Sequence, residues 1–427
     1  MACTSINEKP PLEEEEKEEE KGRITFRCEE EPHVLTGEQG FGFNPLRIGD
    51  LLSTPHRTYE IVRKLGFGSG ASVWLVRFHD NVAENTFLAI KVLTVNLTAG
   101  ILTNQYWEQE ATQTIAKANP EHPGYVRCLQ MRDTFFCNSY HGQHIAFAFD
   151  VMGSNLDRLR KEQPNKVFSS LVAKRIIKQV LLALDYIHTE CELVHTDVQP
   201  ANILVCLKAS NTTISQYLAS NPSETYEPQI CLGLSPDPII TVKSQPLPNF
   251  GLDTSLDNIT VKLSDFGEAV PIRKIVPGLD CQPILLSAPE VILGHPWSTP
   301  VDIWAVGCIV FEFLTGSTLF KVYTYESTTI SDSHLRRMIE FLGNFPEDFL
   351  QKCKNRDEYL DENGDLWRVK KMFPQPIDEG LSVYKHVLRE DIAPAAAFIK
   401  KCLVFDPSVR PTASELLQDE WFSGVTD

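Results

Sequence analysis

The stretch that decides the fold is Leu193-Val-His-Thr-Asp197-Val-Gln-Pro-Ala-Asn202-Ile-Leu-Val-Cys206, and Val261-Lys-Leu-Ser-Asp265-Phe-Gly follows it about 55 residues later. In each stretch, acid or amide side chains stand beside a short apolar run that is typical of a strand. Carboxylate and amide oxygens are suitable ligands for Mg²⁺. We therefore expect Asp197, Asn202 and Asp265 to converge on a metal ion and a reacting hydroxyl group.

Three short runs of β-branched and aromatic residues lie upstream, at 59–65, 72–78 and 87–93. Gly, Asn and Asp separate them, which predicts three antiparallel strands. The turn between the first two is Gly66-Phe-Gly68-Ser-Gly70, and glycines there would let backbone N–H groups approach phosphate oxygens. Because a strand follows the turn, a dinucleotide-binding fold is not indicated. The pattern is compatible with a flap over a nucleotide and with a plain hairpin turn.

Lys91 lies inside the third apolar run, where a charged side chain is disfavoured unless an anion accompanies it. The next helical stretch carries two acids, Glu108 and Glu110. Either could hold the lysine toward a diphosphate. We favour Glu110, with Glu108 as the competing partner.

The later part of the chain has a helical period. Apolar residues recur at steps of three and four over residues 172–187, which predicts an amphipathic helix ending near His188. A second helix is predicted with Thr299 as its cap, Pro300 in its first turn, Asp302 at its positive end and its end near Gly316. The chain therefore has strands first and helices later.

Two segments depart from this pattern. Residues 1–31 hold 11 Glu and 5 Lys+Arg with almost nothing apolar, which predicts a disordered acidic tail with a solubilising or a docking role. Residues 207–258 are rich in Ser, Thr, Asn and Pro and lack a sustained period. We interpret them as an insertion or long loop.

Composition limits the classes of protein. The 427 residues include 40 Lys+Arg and 57 Asp+Glu, and the net charge of −17 argues against direct nucleic-acid binding. The 11 scattered cysteines form no Cys-x-x-Cys pair, so reduced thiols are expected rather than a zinc site. Neither a secretory signal nor a membrane span is evident. We expect a soluble, monomeric protein of the cytoplasm or nucleus, without a membrane partner.

In this order, the motifs resemble those of eukaryotic protein kinases. The resemblance also uses Ala-Pro-Glu290, Asp302 and Arg410, and it covers about residues 59–422. It implies an α+β bilobal fold with a small antiparallel β-rich N-lobe and hinge (59–152) and a larger, mostly helical C-lobe (153–422). Within the kinases the chain is similar to the SR-protein kinases, particularly the fungal branch. That likeness rests on residues 44–50, Trp74, the His-Thr-Asp loop and the insertion.

The resemblance implies an ATP- and Mg²⁺-dependent serine/threonine kinase that acts on basic, Arg/Ser-rich proteins. Asp197 would orient the substrate hydroxyl and accept its proton, while Asn202 and Asp265 would hold Mg²⁺. Lys91, fixed by Glu110, would bind the α- and β-phosphates. The residues implied to surround the nucleotide are Leu65, Gly66, Gly68, Gly70, Val73, Ala89, Lys91, Glu110, Phe149, Asp150 and Met152. Glu290 and Arg410 would form a buried structural pair.

Several residues depart from the family pattern. Gln199 stands where most such kinases have a lysine that neutralises the transferred phosphoryl group, and Pro283 stands where they have a threonine. Ala71 replaces the third glycine. Thr196 replaces an arginine that usually requires a phosphorylated activation loop, which implies activity without that phosphorylation. The alternative is a kinase-fold protein that binds nucleotide and transfers phosphate weakly or not at all.

The acidic balance suits an arginine-rich substrate, because opposite charge steers association. Acids within residues 357–365 are candidates for binding it, and a solvated acidic loop is the alternative for that segment.

Overall fold

A computed structural model describes residues 29–79, 86–231, 233–235, 237–276, 278–279, 281–323 and 328–425. Within these residues, the small lobe contains one antiparallel sheet. Its strands are β1 (Leu51–Ser53), β2 (Thr58–Phe67), β3 (Ala71–Phe78), β4 (Phe87–Leu93), β5 (Met131–Ser139) and β6 (Gly142–Phe149). Their order across the sheet is β1-β2-β3-β4-β6-β5. Two helices pack beside it, α1 (Val95–Leu102) and α2 (Glu108–Lys117). The three predicted strands are confirmed as β2, β3 and β4, with antiparallel registers.

The two faces of this sheet have different roles, because side chains alternate along each strand. One face is packed into an apolar cluster that includes Tyr59, Ile61, Trp74, Val76 and Ile90. The other face presents Val73, Ala89 and Lys91 to a cleft. The alternation thus places a lysine on the cleft side of a strand whose other side is core.

The large lobe is mostly helical and contains a large apolar core. Its short strands are β7 (Met152–Asn155), β8 (Leu193–Val194), β9 (Ile203–Cys206), β10 (Val261–Leu263) and β11 (Val270–Pro271). Its helices are α3 (Leu156–Lys161), α4 (Ser170–Thr189), α5 (Asn211–Ser220), α6 (Pro289–Ile292), α7 (Pro300–Thr315), α8 (Ile330–Leu342), α9 (Glu347–Leu350), α10 (Arg356–Tyr359), α11 (Ile377–Ser382), α12 (Arg389–Cys402) and α13 (Ala413–Leu416). This bilobal α+β architecture confirms the predicted fold class.

Both predicted helices are present, as α4 and α7. Ser169 caps α4 by accepting from the Val172 N–H at 3.3 Å. Helix α7 ends at Thr315 and is followed by Gly316, whose φ of 73° is left-handed. The prediction that Thr299 caps α7 is wrong: its backbone is already helical (φ −47°, ψ −30°), not extended as a capping residue requires.

The interpretation of residues 207–258 as a loop is also partly wrong. The segment begins with helix α5, and its described residues then form a ribbon held by the bridges Thr225–Val242 and Gln229–Ile239. It packs on the small lobe, where Ile214 and Leu247 join Leu75 and Phe87 in one apolar cluster. Residues 207–258 have no hydrophobic periodicity, and they are ordered by contacts with residues that lie far away in the sequence.

The acidic tail needs a similar correction at its end. Residues 1–28 lie outside the described residues, so that part of the prediction stays untested. Glu30 and Glu31 are ordered, because both contact the ammonium group of the buried Lys64 in β2. Glu30 also accepts from the backbone N–H and hydroxyl of Ser244. The end of the tail is therefore part of the fold.

Among the described helices, none combines the length and the apolar character needed to cross a bilayer.

Candidate active site

A cleft of about 660 Å³ lies between the two lobes. It brings together the glycine turn, β4, the hinge, the loop after β8 and the residues after β10. The predicted site residues that line it are Leu65, Gly66, Gly68, Gly70, Val73, Ala89, Lys91, Phe149, Asp150, Met152, Asp197, Asn202 and Asp265. Glu110 is predicted to lie there and does not line it.

The glycine turn is closed by a hydrogen bond from the Gly68 N–H to the Ala71 carbonyl at 2.8 Å. Gly70 packs against α1, because a Cβ atom there would lie 2.2 Å from Leu97 Cδ1 and the leucine side chain would have to move. Gly66 and Gly68 have open space around them among the described residues. A ligand could therefore reach the backbone of the turn closely.

Lys91 is bound by two carboxylates. Its Nζ lies 2.6 Å from Glu108 Oε1 and 2.8 Å from Asp265 Oδ1. Burial alone would lower the pKa of Lys91, but the negative charges of Asp265 and Glu108 raise it above its ordinary value. In turn, the nearby Lys91 holds the pKa of Asp265 below its ordinary value. The lysine is therefore a fixed cation at the floor of the cleft.

The preference for Glu110 as the lysine partner is wrong. Glu108 is buried at the first residue of α2, whereas Glu110 forms an exposed ion pair with Arg273. Residues two apart on a helix do not share a face, so only one of the two acids can point to the cleft. Burial raises the pKa of Glu108, and Lys91 opposes that effect.

Asp197 accepts hydrogen bonds from two amides. Gln199 Nε2 donates to Oδ1 and Asn202 Nδ2 donates to Oδ2, both at 2.7 Å. Burial raises the pKa of Asp197, and these neutral donors offset only part of that effect. The two amides thus hold the carboxylate in a fixed orientation.

Asp302 holds the backbone of the loop that carries Asp197. This buried carboxylate accepts from the backbone N–H of His195 at 2.8 Å and of Thr196 at 2.9 Å. Thr196 has a φ of 64°, and its hydroxyl donates to the Glu268 carbonyl at 2.7 Å. A neutral hydrogen bond therefore joins this loop to the segment after Asp-Phe-Gly at the position of the usual arginine.

Asn202 and Asp265 form a donor set that fits Mg²⁺. One offers an amide oxygen, and the other offers a carboxylate kept ionised by Lys91. Mg²⁺ is usually held by one or two such protein ligands together with waters and phosphate oxygens. Both residues line the cleft beside Asp197.

The hinge joins β6 to β7. Phe149, the last residue of β6, pairs with Ala89, while Met152 pairs with Cys206. The Asp150 carboxylate is bound by Arg132 at 2.8 and 2.7 Å. The charge of Asp150 is therefore balanced within the protein by Arg132.

Several cleft residues were not predicted. Leu204 lies in the quoted stretch and lines the cleft, whereas Ile203 and Val205 on either side are fully buried in the core. Period-two alternation along β9 could have identified it. Pro246 and Leu247 of the insertion also line the cleft, and no sequence signal marks them.

The segment that leads into Ala-Pro-Glu is held by a buried ion pair and by the partly buried side chain of Gln282. Glu290 and Arg410 form a bidentate pair at 2.7 and 2.9 Å, and both side chains are buried. Gln282, with a φ of 68°, donates to the Val301 carbonyl and accepts from the Ala288 N–H. These contacts fix the backbone on both sides of Pro283.

Comparison with known proteins is consistent with this geometry. A protein kinase domain model matches residues 59–222 and 249–422. The chain is 30% identical over 391 residues to a serine/threonine-protein kinase SRPK from Physarum polycephalum, covering 90% of this chain and 89% of the relative. It is 27% identical over 464 residues to protein kinase dsk1 from Schizosaccharomyces pombe, covering 90% and 84%.

A human relative, SRSF protein kinase 3, is 23% identical over 512 residues, covering 90% of this chain and 88% of the relative. The predicted resemblance is confirmed. The chain therefore belongs to the protein kinase family, as a serine/threonine protein kinase similar to its SRPK members.

Proposed function

We propose that the protein transfers the γ-phosphate of ATP, in the presence of Mg²⁺, to serine hydroxyls in basic, Arg/Ser-rich proteins. The observation that carries this proposal is the arrangement of Lys91 between Glu108 and Asp265, in the same cleft as Asp197 and Asn202. Bound Mg²⁺ would neutralise charge on the phosphates.

Each side chain has a role that its position supports. Asp197 orients the substrate hydroxyl and accepts its proton as the oxygen attacks, while Lys91 binds the phosphates of the nucleotide. Asn202 and Asp265 hold Mg²⁺. Gln199 and Asn202 keep the Asp197 carboxylate in one orientation, so the proton acceptor is already in place when the substrate binds.

The substrate proposal is supported by charge. Asp332 is buried and bound by Arg368, and Glu340 is buried between Arg336 and Arg337. These acids already form ion pairs with arginine side chains of the protein itself. In contrast, Asp357, Glu358, Glu362 and Asp365 are exposed on one segment of the large lobe, where they would steer an arginine-rich peptide.

The test is a phosphorylation assay with purified protein, Mg-ATP and an Arg/Ser-rich peptide, with Asp197→Ala as the inactive control. We expect phosphate incorporation in the wild type without prior phosphorylation of the protein. A Glu358→Lys variant should lose several-fold in kcat/KM at low salt, and the exposed Glu121→Lys variant is the matched control. Preference for an acidic-site peptide would contradict the substrate proposal.

A second candidate function is motivated by Gln199 and Pro283. These residues favour a kinase-fold scaffold that binds nucleotide and transfers phosphate poorly. Nucleotide binding in the same preparation, without incorporation above the Asp197→Ala control, would establish this candidate and reject the first. We further propose that the protein acts as a monomer in the cytoplasm or nucleus, without direct nucleic-acid or membrane partners.

A further inference from the structure

The insertion supplies part of the cleft wall. Pro246 and Leu247 line the cleft together with the glycine turn and the hinge. Both residues belong to a six-residue segment, residues 245–250, which we name the return arm. This segment leads from the ribbon of the insertion back toward β10.

The return arm is fixed to the small lobe where it begins. The Gln245 N–H donates to the Lys64 carbonyl of β2 at 2.9 Å. The side-chain oxygen of Gln245 accepts from the Glu224 N–H at 2.9 Å. Since Lys64 directly precedes Leu65 and Gly66, the return arm is bonded to the strand that leads into the glycine turn.

The return arm is fixed to the large lobe where it ends. Asn249 Oδ1 accepts from the Ser154 N–H at 2.8 Å, and Asn249 Nδ2 donates to the Ser154 hydroxyl at 2.8 Å. The Phe250 carbonyl accepts from the Lys208 N–H at 3.0 Å. A Cβ atom on Gly153 would lie 2.3 Å from Asn249 Oδ1, so glycine permits this close approach. The return arm therefore spans both lobes beside the hinge.

Leu247 lies between these two anchors and has two environments. It is buried in the apolar cluster with Leu75, Phe87 and Ile214, and it also lines the cleft. Pro246 and Pro248 flank it, and the fixed φ of proline restricts the backbone there. The leucine side chain thus closes the cleft on the side of the hinge.

We propose that Leu247 is a specificity-determining residue of the nucleotide cleft, which excludes purine ligands with bulky groups directed past the hinge. The inference rests on the nucleotide binding included in the proposed function, and it is independent of phosphate transfer. Shortening Leu247 to alanine opens an apolar space continuous with the cleft, lined by Leu75, Phe87 and Ile214. A space lined by such apolar side chains accepts small apolar groups.

The experiment measures dissociation constants by calorimetry for ADP and for two analogues, one with a benzyl group on N6 and one with a hexylthio group on C2. The proteins are the wild type, Leu247→Ala, Leu247→Val and Ile214→Ala. Ile214 is buried in the same cluster but does not line the cleft, so its variant is the matched control. Leu247→Val covers the case in which the alanine variant fails to fold.

We expect Leu247→Ala to bind at least one analogue about tenfold more tightly than the wild type does, while ADP affinity changes less than about threefold. Leu247→Val should show a smaller gain, and Ile214→Ala should show none. Unchanged affinity for both analogues, or an equal gain in Ile214→Ala, would overturn the inference.

Failure of the proposed function has a different signature. ADP binding without peptide phosphorylation rejects the kinase proposal and leaves the selectivity result standing. Phosphorylation with unchanged analogue affinity rejects the role of Leu247 alone. Absence of ADP binding in the wild type and in all variants would reject both.

Discussion

At the residue scale, the contacts of Lys91 assign different roles to two acids that the sequence leaves equivalent. Glu108 contacts the lysine, and Glu110 contacts Arg273. We expect Glu108→Gln to lower kcat/KM by about a hundredfold, because a fixed charge partner in a buried site is lost.

The matched variant is Glu110→Gln, which removes an exposed ion pair and should change kcat/KM less than about threefold. Steady-state kinetics on the Arg/Ser-rich peptide distinguishes the two. A larger effect of Glu110→Gln would contradict the placement of Glu108.

The sequence did contain a signal for Glu108. The buried residues of α2 are Glu108, Ala111, Thr112 and Ile115, which follow the spacing of one helical face. Glu110 lies off that face. The apolar stripe of α2 therefore predicts Glu108, and not Glu110, as the acid that faces the protein interior.

Gln199 lies beside the proposed proton acceptor, Asp197. Its amide contacts Asp197, whose pKa is raised by burial. Gln199→Lys would place a cation there, which lowers the pKa of Asp197 and supplies charge near the transferred group. We expect kcat to rise and the acid limb of the profile of kcat/KM against pH to move down by about one unit. An unmoved acid limb would contradict this account of Asp197.

At the scale of elements, the segment before β1 is part of the kinase fold although it precedes residue 59. Glu30 and Glu31 neutralise Lys64, which is buried in β2. A chain lacking residues 1–31 would leave a buried ammonium group without these partners. We expect it to lose about 3 kcal/mol in free energy of unfolding, measured by urea denaturation.

Two further chains control this prediction. Removal of residues 1–28 keeps both acids and should lower the free energy of unfolding less than removal of residues 1–31 does. Adding Lys64→Met to the chain without residues 1–31 should restore most of the loss, since an apolar side chain needs no charge partner. Lack of rescue by Lys64→Met would contradict the role assigned to the ion pairs.

Elements with a local period could be predicted, and elements ordered by distant partners could not. The strands β2 to β4 and the helices α4 and α7 carry their patterns in adjacent residues. The insertion takes its order from contacts such as Lys64 with the Val242 carbonyl, 178 residues apart in the chain. The bound state of Glu30 and Glu31 likewise depends on a lysine more than 30 residues away.

At the scale of the whole molecule, a buried histidine makes stability depend on pH. Burial lowers the pKa of His33 from 6.5 to about 4, and the nearby His141 adds to that effect. Below pH 6.5 the unfolded chain binds a proton that the folded chain does not bind. The stability contribution of neutral His33 is therefore complete above pH 6.5 and falls as the pH decreases toward 4.

We expect His33→Gln to lose less stability than the wild type between pH 7 and pH 5, by about 2 kcal/mol. The measurement is urea unfolding at both pH values. An equal loss in the two proteins would show that His33 is not the responsible group. His141→Gln is the control, because it keeps the buried His33 and changes a neighbouring ring whose Nε2 lies 2.7 Å from the His33 carbonyl oxygen.

The return arm has a consequence for how the polypeptide can be divided. The chain crosses between the lobes at the hinge, again where it enters the insertion, and a third time through the return arm. Ile230, at the far end of the ribbon, is 75% exposed, and exposed tips tolerate breaks in the backbone. A break after Ile230 would place Lys91, Asp197 and Asn202 on one fragment and Asp265 on the other. Two separately made polypeptides could then reconstitute one catalytic centre, with the paired arms of the ribbon as their point of assembly.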